Sequence, residues 1–537
     1  MISKKYFNQK GQIALLVTLV ILGAILSIGA GLTLVTIKEM RMAKNIEESA
    51  KAITAADAGT EEALYIEKTV GLNPGDTGFA ILGDTSYDWE VQEEEGWRFL
   101  KSIGTCHNIK RAIKTNLSFL AAMGAGGGWS VYHSCASTDK GTVYCWGMNV
   151  QGQLGDGTTI GRTTPVQVKG VGGVGDLDNI FAVSTGGGQT CALKNDGTVY
   201  CWGKNDHGQL GDDTIIDSTT PVQVKGVGGV GNLDNISVVS GGGTFTCALK
   251  NDGTVYCWGC NSQGQLGDDT IIDSTTPVQV KGVGGVGNLT NISAVSGGGA
   301  HSCALKNDGT VYCWGSNSCL WPFFCAGVLG DNSIVAHSTT PVQVKGVGGV
   351  GNLTNISAIG AQWANTCALK NDGTVYCWGD NDSGQLGDGT TTHRRVPVQV
   401  KGVGGVGNLT NISAVSTASS GGDYNCALKN DGTVYCWGMN DYWWGIPCGG
   451  QLGDGTITDS TTPVQVKGVG GVGNLTNISA VSTGFIHSCA LESNGRAYCW
   501  GCNNGGQIGD GTSGNTRTTP VCVKGTGARL EQKEIRP

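Results

Sequence analysis

The chain has 537 residues, of which 91 are glycine and 14 tryptophan, with 39% hydrophobic and 15% charged side chains. Disorder needs few aromatics and high charge, so that composition excludes it; the glycines follow no three-residue period, which excludes collagen. The net charge is −8, and residues 121–537 carry 22 basic against 29 acidic side chains, so no basic excess is available to neutralise phosphates and no nucleic-acid partner is expected.

Met1–Lys10 contains Lys4, Lys5 and Lys10 and no acid, and Gly11 follows. Ile13–Ile37 is a run of 25 uncharged, mostly apolar residues. A cleaved signal peptide has only about 7–15 apolar residues, whereas this run is long enough to span a bilayer as a helix. Lysines before it favour an inside N-terminus and an exported bulk. Residues 38–68 are rich in Ala, Glu and Lys, and Met42, Ile46, Ala50, Ile53 and Ala56 recur at helical spacing. The pattern predicts one nearly continuous helix over 12–69, apolar over 13–37 and amphipathic after. Residues 70–120 change texture: Tyr87–Val91, Trp97–Ile103 and Ile109–Leu120 alternate loosely and predict a small β-rich region.

A short basic leader, a glycine and an apolar helix that turns amphipathic resemble a type IV pilin, and the A-A-D-A-G-T-E-E-A-L segment at Ala55–Leu64 resembles that of minor pilins. The resemblance implies a leader over 1–11, cleavage between Gly11 and Gln12, residence in the membrane before assembly, and packing against other pilin subunits. Two positions depart from the pilin pattern: Gln12 stands where a hydrophobic or aromatic residue is usual, and Leu16 where a glutamate is usual. A single-pass membrane anchor is the plainer alternative.

From residue 121 onward the chain repeats. The unit reads C-A-L-K-N-D-G-T-V-Y-C-W-G, then N-x-x-G-Q-L-G-D, then T-P-V-Q-V-K-G-V-G-G-V-G-N-L-T-N-I-S-A-V-S, and it occurs seven times, marked by Trp146, Trp202, Trp258, Trp314, Trp378, Trp437 and Trp500. Asp196-Gly197 between alternating apolar segments signals a hairpin. A three-residue loop, Asn195–Gly197, puts Leu193 opposite Val199 and Cys191 opposite Cys201. Facing Cβ atoms lie about 4.5–5.5 Å apart and a disulfide needs about 3.5–4.5 Å, so small adjustments suffice. The ten-residue offset recurs as Cys135/Cys145, Cys191/Cys201, Cys247/Cys257, Cys303/Cys313, Cys367/Cys377, Cys426/Cys436 and Cys489/Cys499, which predicts seven disulfides. Each closes a small loop and contributes up to about 2–3 kcal/mol in the chain-entropy description. With 21 cysteines in all, an oxidising compartment is expected. Both faces of the hairpin are apolar, as in propeller blades packed face to face.

The blocks H-S-C-A-L, D-G-x-V-x-C-W-G, N-x-x-G-Q-L-G and P-V-x-V resemble the regulator of chromosome condensation repeat. That resemblance implies a mainly β fold, a seven-bladed propeller over 121–537, here preceded by the long N-terminal helix and the small β region. The last unit ends in Pro520–Val523 and the first lacks a preceding P-V-Q-V segment, so the C-terminal strand is expected to complete the first blade and close the ring. Exported, disulfide-bonded versions of such propellers resemble bacterial adhesion modules.

Two units carry insertions after W-G-x-N. Cys319–Cys325 holds Trp321, Phe323 and Phe324, and Asp441–Cys448 holds Tyr442, Trp443 and Trp444. Equivalent positions emerge on one face of a propeller, and aromatic loops on a rigid scaffold suit a protein or glycan ligand. Cys319 and Cys325 are expected to pair; Cys448 and Cys502 lie in neighbouring units, where a pairing across blades is one option left open, and Cys106, Cys260 and Cys522 are left over. Other constellations are weaker. Cys257–Cys260 and Cys499–Cys502 form C-x-x-C, a zinc or redox pattern, but Cys257 and Cys499 are already used by hairpins. His133, His301 and His487 each precede S-C, yet one repeat position in three units disperses rather than converges. The G-D-G-T and D-D-T carboxylates are explained by turn chemistry rather than calcium, and G-V-G-G-V-G, repeated in six units, reads as a linker. No enzyme, catalytic set, metal or cofactor is expected. The reading is a surface-displayed binding or adhesion protein, a minor or tip pilin at the cell surface or in an extracellular filament.

Overall fold

A computed structural model describes residues 77–82, 85–94, 97–106, 109–116, 120–128, 131–317, 327–416, 422–441 and 448–526. The expected helix over 12–69, with the Gly11–Gln12 junction and the apolar run 13–37, lies outside these residues. Among the described residues no helix is long and apolar enough to cross a membrane. The chain divides into two units, with the boundary between Ser118 and Phe119. In the first, strands Thr77–Leu82, Thr85–Glu94, Trp97–Cys106 and Ile109–Asn116 form a four-stranded antiparallel meander. Its last strand is shorter than the expected Ile109–Leu120, because Leu120 opens the first strand of the second unit, Leu120–Gly128.

The second unit is seven four-stranded antiparallel sheets, blades 1 to 7, spanning 120–167, 180–223, 236–279, 292–343, 356–399, 412–465 and 478–522. Blade 2 shows how the repeat makes one. Gln189–Lys194 and Val199–Gly203 pair with Leu193 opposite Val199 and Cys191 opposite Cys201. The loop between them closes through Lys194 N–H to Thr198 O at 2.9 Å and Gly197 N–H to Lys194 O at 3.0 Å, with Gly197 at φ 81°, where a side chain would be strained. Ile180–Thr185 flanks the hairpin on one side and Ser218–Gln223 on the other. G-V-G-G-V-G folds as a tight turn between blades, closed in the first repeat by Gly170 N–H to Gly175 O at 2.9 Å.

Each hairpin carries its own disulfide. Cys135 is bonded to Cys145, Cys191 to Cys201, Cys247 to Cys257, Cys303 to Cys313, Cys367 to Cys377, Cys426 to Cys436 and Cys489 to Cys499, every pair with Cα atoms 4.1 Å apart. All fourteen of these cysteines are buried. These are the seven pairs that the ten-residue offset predicts, and Cys145, Cys313, Cys377 and Cys436, on the third strands of their sheets, are fully buried. The reason is the blade packing, which covers the cysteine face of one hairpin with the next sheet.

The core lies between blades. Cys191, Leu193, Val199 and Cys201 on one face of blade 2 pack with Leu210, Val224 and Ile236 against Ala248 and Trp258 of blade 3. Cys135 and Cys145 pack likewise against Trp202, Cys303 and Cys313 against Trp378, and Cys367 and Cys377 against Trp437, while Cys426 and Cys436 meet Trp500. Every tryptophan marker is fully buried and donates its indole N–H backwards to a carbonyl of the preceding blade's G-Q-L-G loop or its equivalent. These bonds run from Trp202 to Gln153 and from Trp258 to Gln209, at 2.9 and 3.0 Å, and the other five are 2.9 Å. The loop's second glycine lies under that ring: a Cβ on Gly211 would sit 2.7 Å from Trp258 Nε1. The high glycine content follows partly from this close approach.

One expectation about closure is corrected. Arg517–Cys522 pairs with Ala497–Gly501 and completes blade 7, while blade 1 owns its outer strand Arg162–Gln167. The P-V-x-V segment follows its hairpin through a single loop, residues 502–516 in the last unit, and pairs with the third strand of the same unit. The ring closes instead by packing blade 7 on blade 1, through Trp146 Nε1 to Gln507 O at 2.9 Å, Ala125 N–H to Ser482 Oγ at 3.0 Å and Gly511 N–H to Thr163 O at 2.9 Å.

Candidate functional site

In each blade the loop joining the first two strands and the loop after W-G emerge on the same face of the ring. Blades 2, 3 and 4 place Gly187, Gly243 and Gly299 in the first of these loops, and a Cβ on Gly187 would collide with the Gly243 carbonyl. Small residues there leave a cavity of about 330 Å³, lined among others by Val131, Lys204, Cys260, His301, Ser316 and Trp363. Blades 5 and 7 break the glycine pattern with Trp363 and Phe485. Their rings meet edge to face with centroids 5.7 Å apart, and Phe485 stacks on Tyr132 of blade 1 at 6.3 Å. One side of the mouth is therefore glycine-lined and open, and the other is filled by aromatics. Spacing arguments pass over these three residues, although the loss of G-G-G at Gln362–Trp363 and Gly484–Phe485 is a visible signal.

Trp321, Phe323 and Phe324, with Cys319 and Cys325, and Tyr442, Trp443 and Trp444 lie outside the described residues. Their flanks are described and sit on the cavity face. Ser316 and Val328, on either side of the first insertion, both line the cavity, and Gly327 N–H donates to Asn317 O at 3.0 Å. At the second, Cys448 is bonded to Cys502 of blade 7, and both pack with Tyr132 and Ile486. None of the hairpin cysteines lines the cavity; Cys145, Cys313, Cys377 and Cys436 hold the scaffold and take no part in the site. Among the described cysteines Cys260 and Cys522 form no disulfide.

The cavity face is electrostatically uneven. Within the loop after W-G of blade 5, His393 Nδ1 lies 2.9 Å from Asp380 Oδ1, and its Nε2 lies 3.5 Å from Asp382 Oδ1. The hydrogen bond to Asp380 raises the His393 pKa above its ordinary value. Asp423 Oδ1 is sealed from solvent without a hydrogen-bond partner, and burial, with Asp380, Asp382 and Asp459 nearby, pushes its carboxyl up to about 7.

His133, His301 and His487 do not converge. Each is buried and bonds forward to the next blade: to Thr190 Oγ1 at 2.8 Å, Thr366 Oγ1 at 2.9 Å and Ser134 Oγ at 2.8 Å. Thr190 and Ser134 themselves donate to Gln153 O and Gln507 O, so His133 and His487 must carry their proton on Nε2. Burial lowers all three to about 3. They are neutral struts between blades.

The profile of the RCC1-like domain matches residues 174–535, and that of the regulator of chromosome condensation (RCC1) repeat matches 140–193. The chain is similar to the ultraviolet-B receptor UVR8 of Arabidopsis thaliana, 29% identical over 412 residues, covering 75% of this chain and 84% of that protein. It is 30% identical over 402 residues to the human E3 ubiquitin-protein ligase HERC2, covering 74% of this chain but 7% of that protein. Among solved structures, yeast RCC1 (Prp20) bound to Kap60 superposes with a TM-score of 0.56 at 20% identity, covering 72% of this chain and 84% of that one, a likeness of fold.

Proposed function

The chain belongs to the RCC1-like domain family, and from that premise we propose that it is a non-enzymatic binding protein which engages a protein or glycan through the cavity face of its ring. The observation that carries this is the broken symmetry of that face. Around a ring of near-identical units, the departures collect at one mouth: the aromatics Trp363, Phe485 and Tyr132, the acidic cluster between blades 5 and 6, and the flanks of both aromatic insertions. The residues that hold every seam, such as the tryptophan markers, recur in every blade, so departures from the repeat that also border the mouth are the candidates for recognition. No nucleophile, base and orienting group meet at the mouth among the described residues. The net charge of −8 supports a partner other than nucleic acid.

The proposal places the ring outside the cell. Its support is the apolar run Ile13–Ile37 and the eight disulfides among the described cysteines, which suit an oxidising compartment. In this reading the leader is removed after Gly11, residues 12–69 pack with other pilin subunits, and the ring is carried as an adhesin. The alternative keeps the same ring on an uncleaved single-pass anchor, as a surface receptor or structural protein. Mass spectrometry of the N-terminal peptide from sheared filaments separates the two. A chain beginning at Gln12 in the filament fraction is expected, and an intact Met1 confined to membranes overturns the filament reading.

The binding role has its own test. Trp443→Ala with Trp444→Ala is expected to abolish surface attachment while leaving display and melting temperature unchanged. Attachment at the wild-type level, with normal display, sinks the assignment of that loop.

A further inference from the structure

Two residues that depart from the repeat, in two different blades, meet at one seam. His207 stands in the loop after W-G of blade 2, and Cys260 follows W-G in blade 3. His207 Nδ1 lies 2.8 Å from Asp273 Oδ2, and donor atoms of His207, Cys260 and Asp273 all lie within 4.8 Å of one another. We propose that this imidazole, thiol and carboxylate form a zinc site that ties blade 2 to blade 3.

The three groups are held independently of any ion. His207 N–H donates to Gln209 Oε1 at 2.9 Å. Cys260 N–H donates to Thr244 O at 2.9 Å. Asp273 Oδ1 accepts the Asn261 N–H at 2.7 Å, which leaves Oδ2 to face His207. The donor set of one nitrogen, one sulfur and one oxygen is the borderline-soft mixture that suits zinc, and suits calcium or magnesium poorly. Bond lengths of about 2.0–2.3 Å in a tetrahedron put ligand atoms about 3.3–3.7 Å apart, so the site needs only small side-chain rotations, chiefly the parting of His207 from Asp273. Binding breaks the Cys260 S–H bond, the proton goes to solvent, and the thiolate sulfur donates its pair to the ion. With three protein ligands, a fourth position stays open, and Cys260 itself lines the cavity.

The seam between blades 6 and 7 supports this independently. Cys502 occupies the repeat position of Cys260 there, and it is stapled to Cys448 from the preceding blade's loop. At the 2–3 seam the preceding loop offers His207 instead of a cysteine, and Cys260 is left without a disulfide. The same joint is thus crossed by a covalent staple in one place and by ligand-bearing side chains in the other.

The test uses the full chain in detergent, in a Cys522→Ser background, stripped with EDTA and titrated with Co(II) as a spectroscopic stand-in and then with Zn(II). One equivalent of Co(II) is expected to bind with a thiolate-to-cobalt charge-transfer band that Zn(II) bleaches. Cys260→Ser is expected to lose the band, and His207→Ala to weaken binding at least tenfold, with melting temperatures in EDTA unchanged in both. Absence of stoichiometric binding, a band that survives Cys260→Ser, or an affinity untouched by His207→Ala would each overturn the proposal.

Discussion

Trp258→Ala is expected to lower the unfolding free energy by about 3–5 kcal/mol, the range for removing a large buried aromatic. The indole is fully buried, fills the joint between blades 2 and 3 beside Cys191, Leu193 and Leu210, and covers Gly211 so closely that no residue with a side chain could replace that glycine. The surrounding strands are tied by the hairpin disulfides and cannot collapse into the space, so the cost belongs at the upper end. Trp258→Phe separates the two contributions. It keeps most of the volume but removes the donor to Gln209 O, and that carbonyl still accepts Thr246 Oγ1 at 2.9 Å; a loss of about 1 kcal/mol is expected for the hydrogen bond. Urea unfolding of both variants measures the difference. If Trp258→Ala costs no more than truncating Val230, which is 81% exposed, the seams are not where the stability resides.

The three buried histidines are expected to make the ring lose stability as pH falls below about 6.5. His133, His301 and His487 are held neutral down to about 3, whereas in the unfolded chain each takes a proton near 6.5. Below 6.5 the unfolded state therefore binds more protons, and stability falls by about 1.4 kcal/mol per pH unit per histidine until the folded value is reached. Asp423 acts in the opposite sense. Its carboxyl is raised to about 7, so the folded state holds the extra proton, and the stability it contributes below the ordinary carboxylate range is lost as pH rises through 7. Between pH 6.5 and 4 it offsets one of the three histidines, and Asp382 and Asp459, whose carboxyls burial also raises, act in the same sense as Asp423. His133→Gln should reduce the slope of stability against pH by one proton, because Gln189 fills the same position in blade 2 without titrating and is itself bonded, to Gly242 O and Phe245 O. Unfolding free energies of the two proteins at pH 7, 6 and 5 check this. Parallel curves would mean that His133 is protonated in the folded ring, which its buried and unpartnered Nδ1 argues against.

What could be read along the chain was what depends on near neighbours in sequence. The D-G turn sets a three-residue loop, the loop sets which residues face each other, and a ten-residue cysteine offset then lands on one rung of one ladder. Seven such hairpins, apolar on both faces, imply sheets packed on both sides, so the propeller itself was legible from Cys191–Trp202 and its six copies. Tertiary structure alone decided how the copies meet. It buries Cys145, Cys313, Cys377 and Cys436, paired as the hairpin register predicts, under the following blade. P-V-C-V at Pro520–Val523 has the same local propensity in blade 1 as in blade 7, and its pairing with Ala497–Gly501 commits it to blade 7. Trp363 and Phe485, 122 positions apart in the chain, form an edge-to-face pair because blades 5 and 7 both reach the ring's mouth. His207 and Cys260 occupy different positions in different repeats, so no periodicity pairs them. They come together because each blade's W-G loop leans on the next, a contact set by close packing between sheets rather than by spacing along the chain.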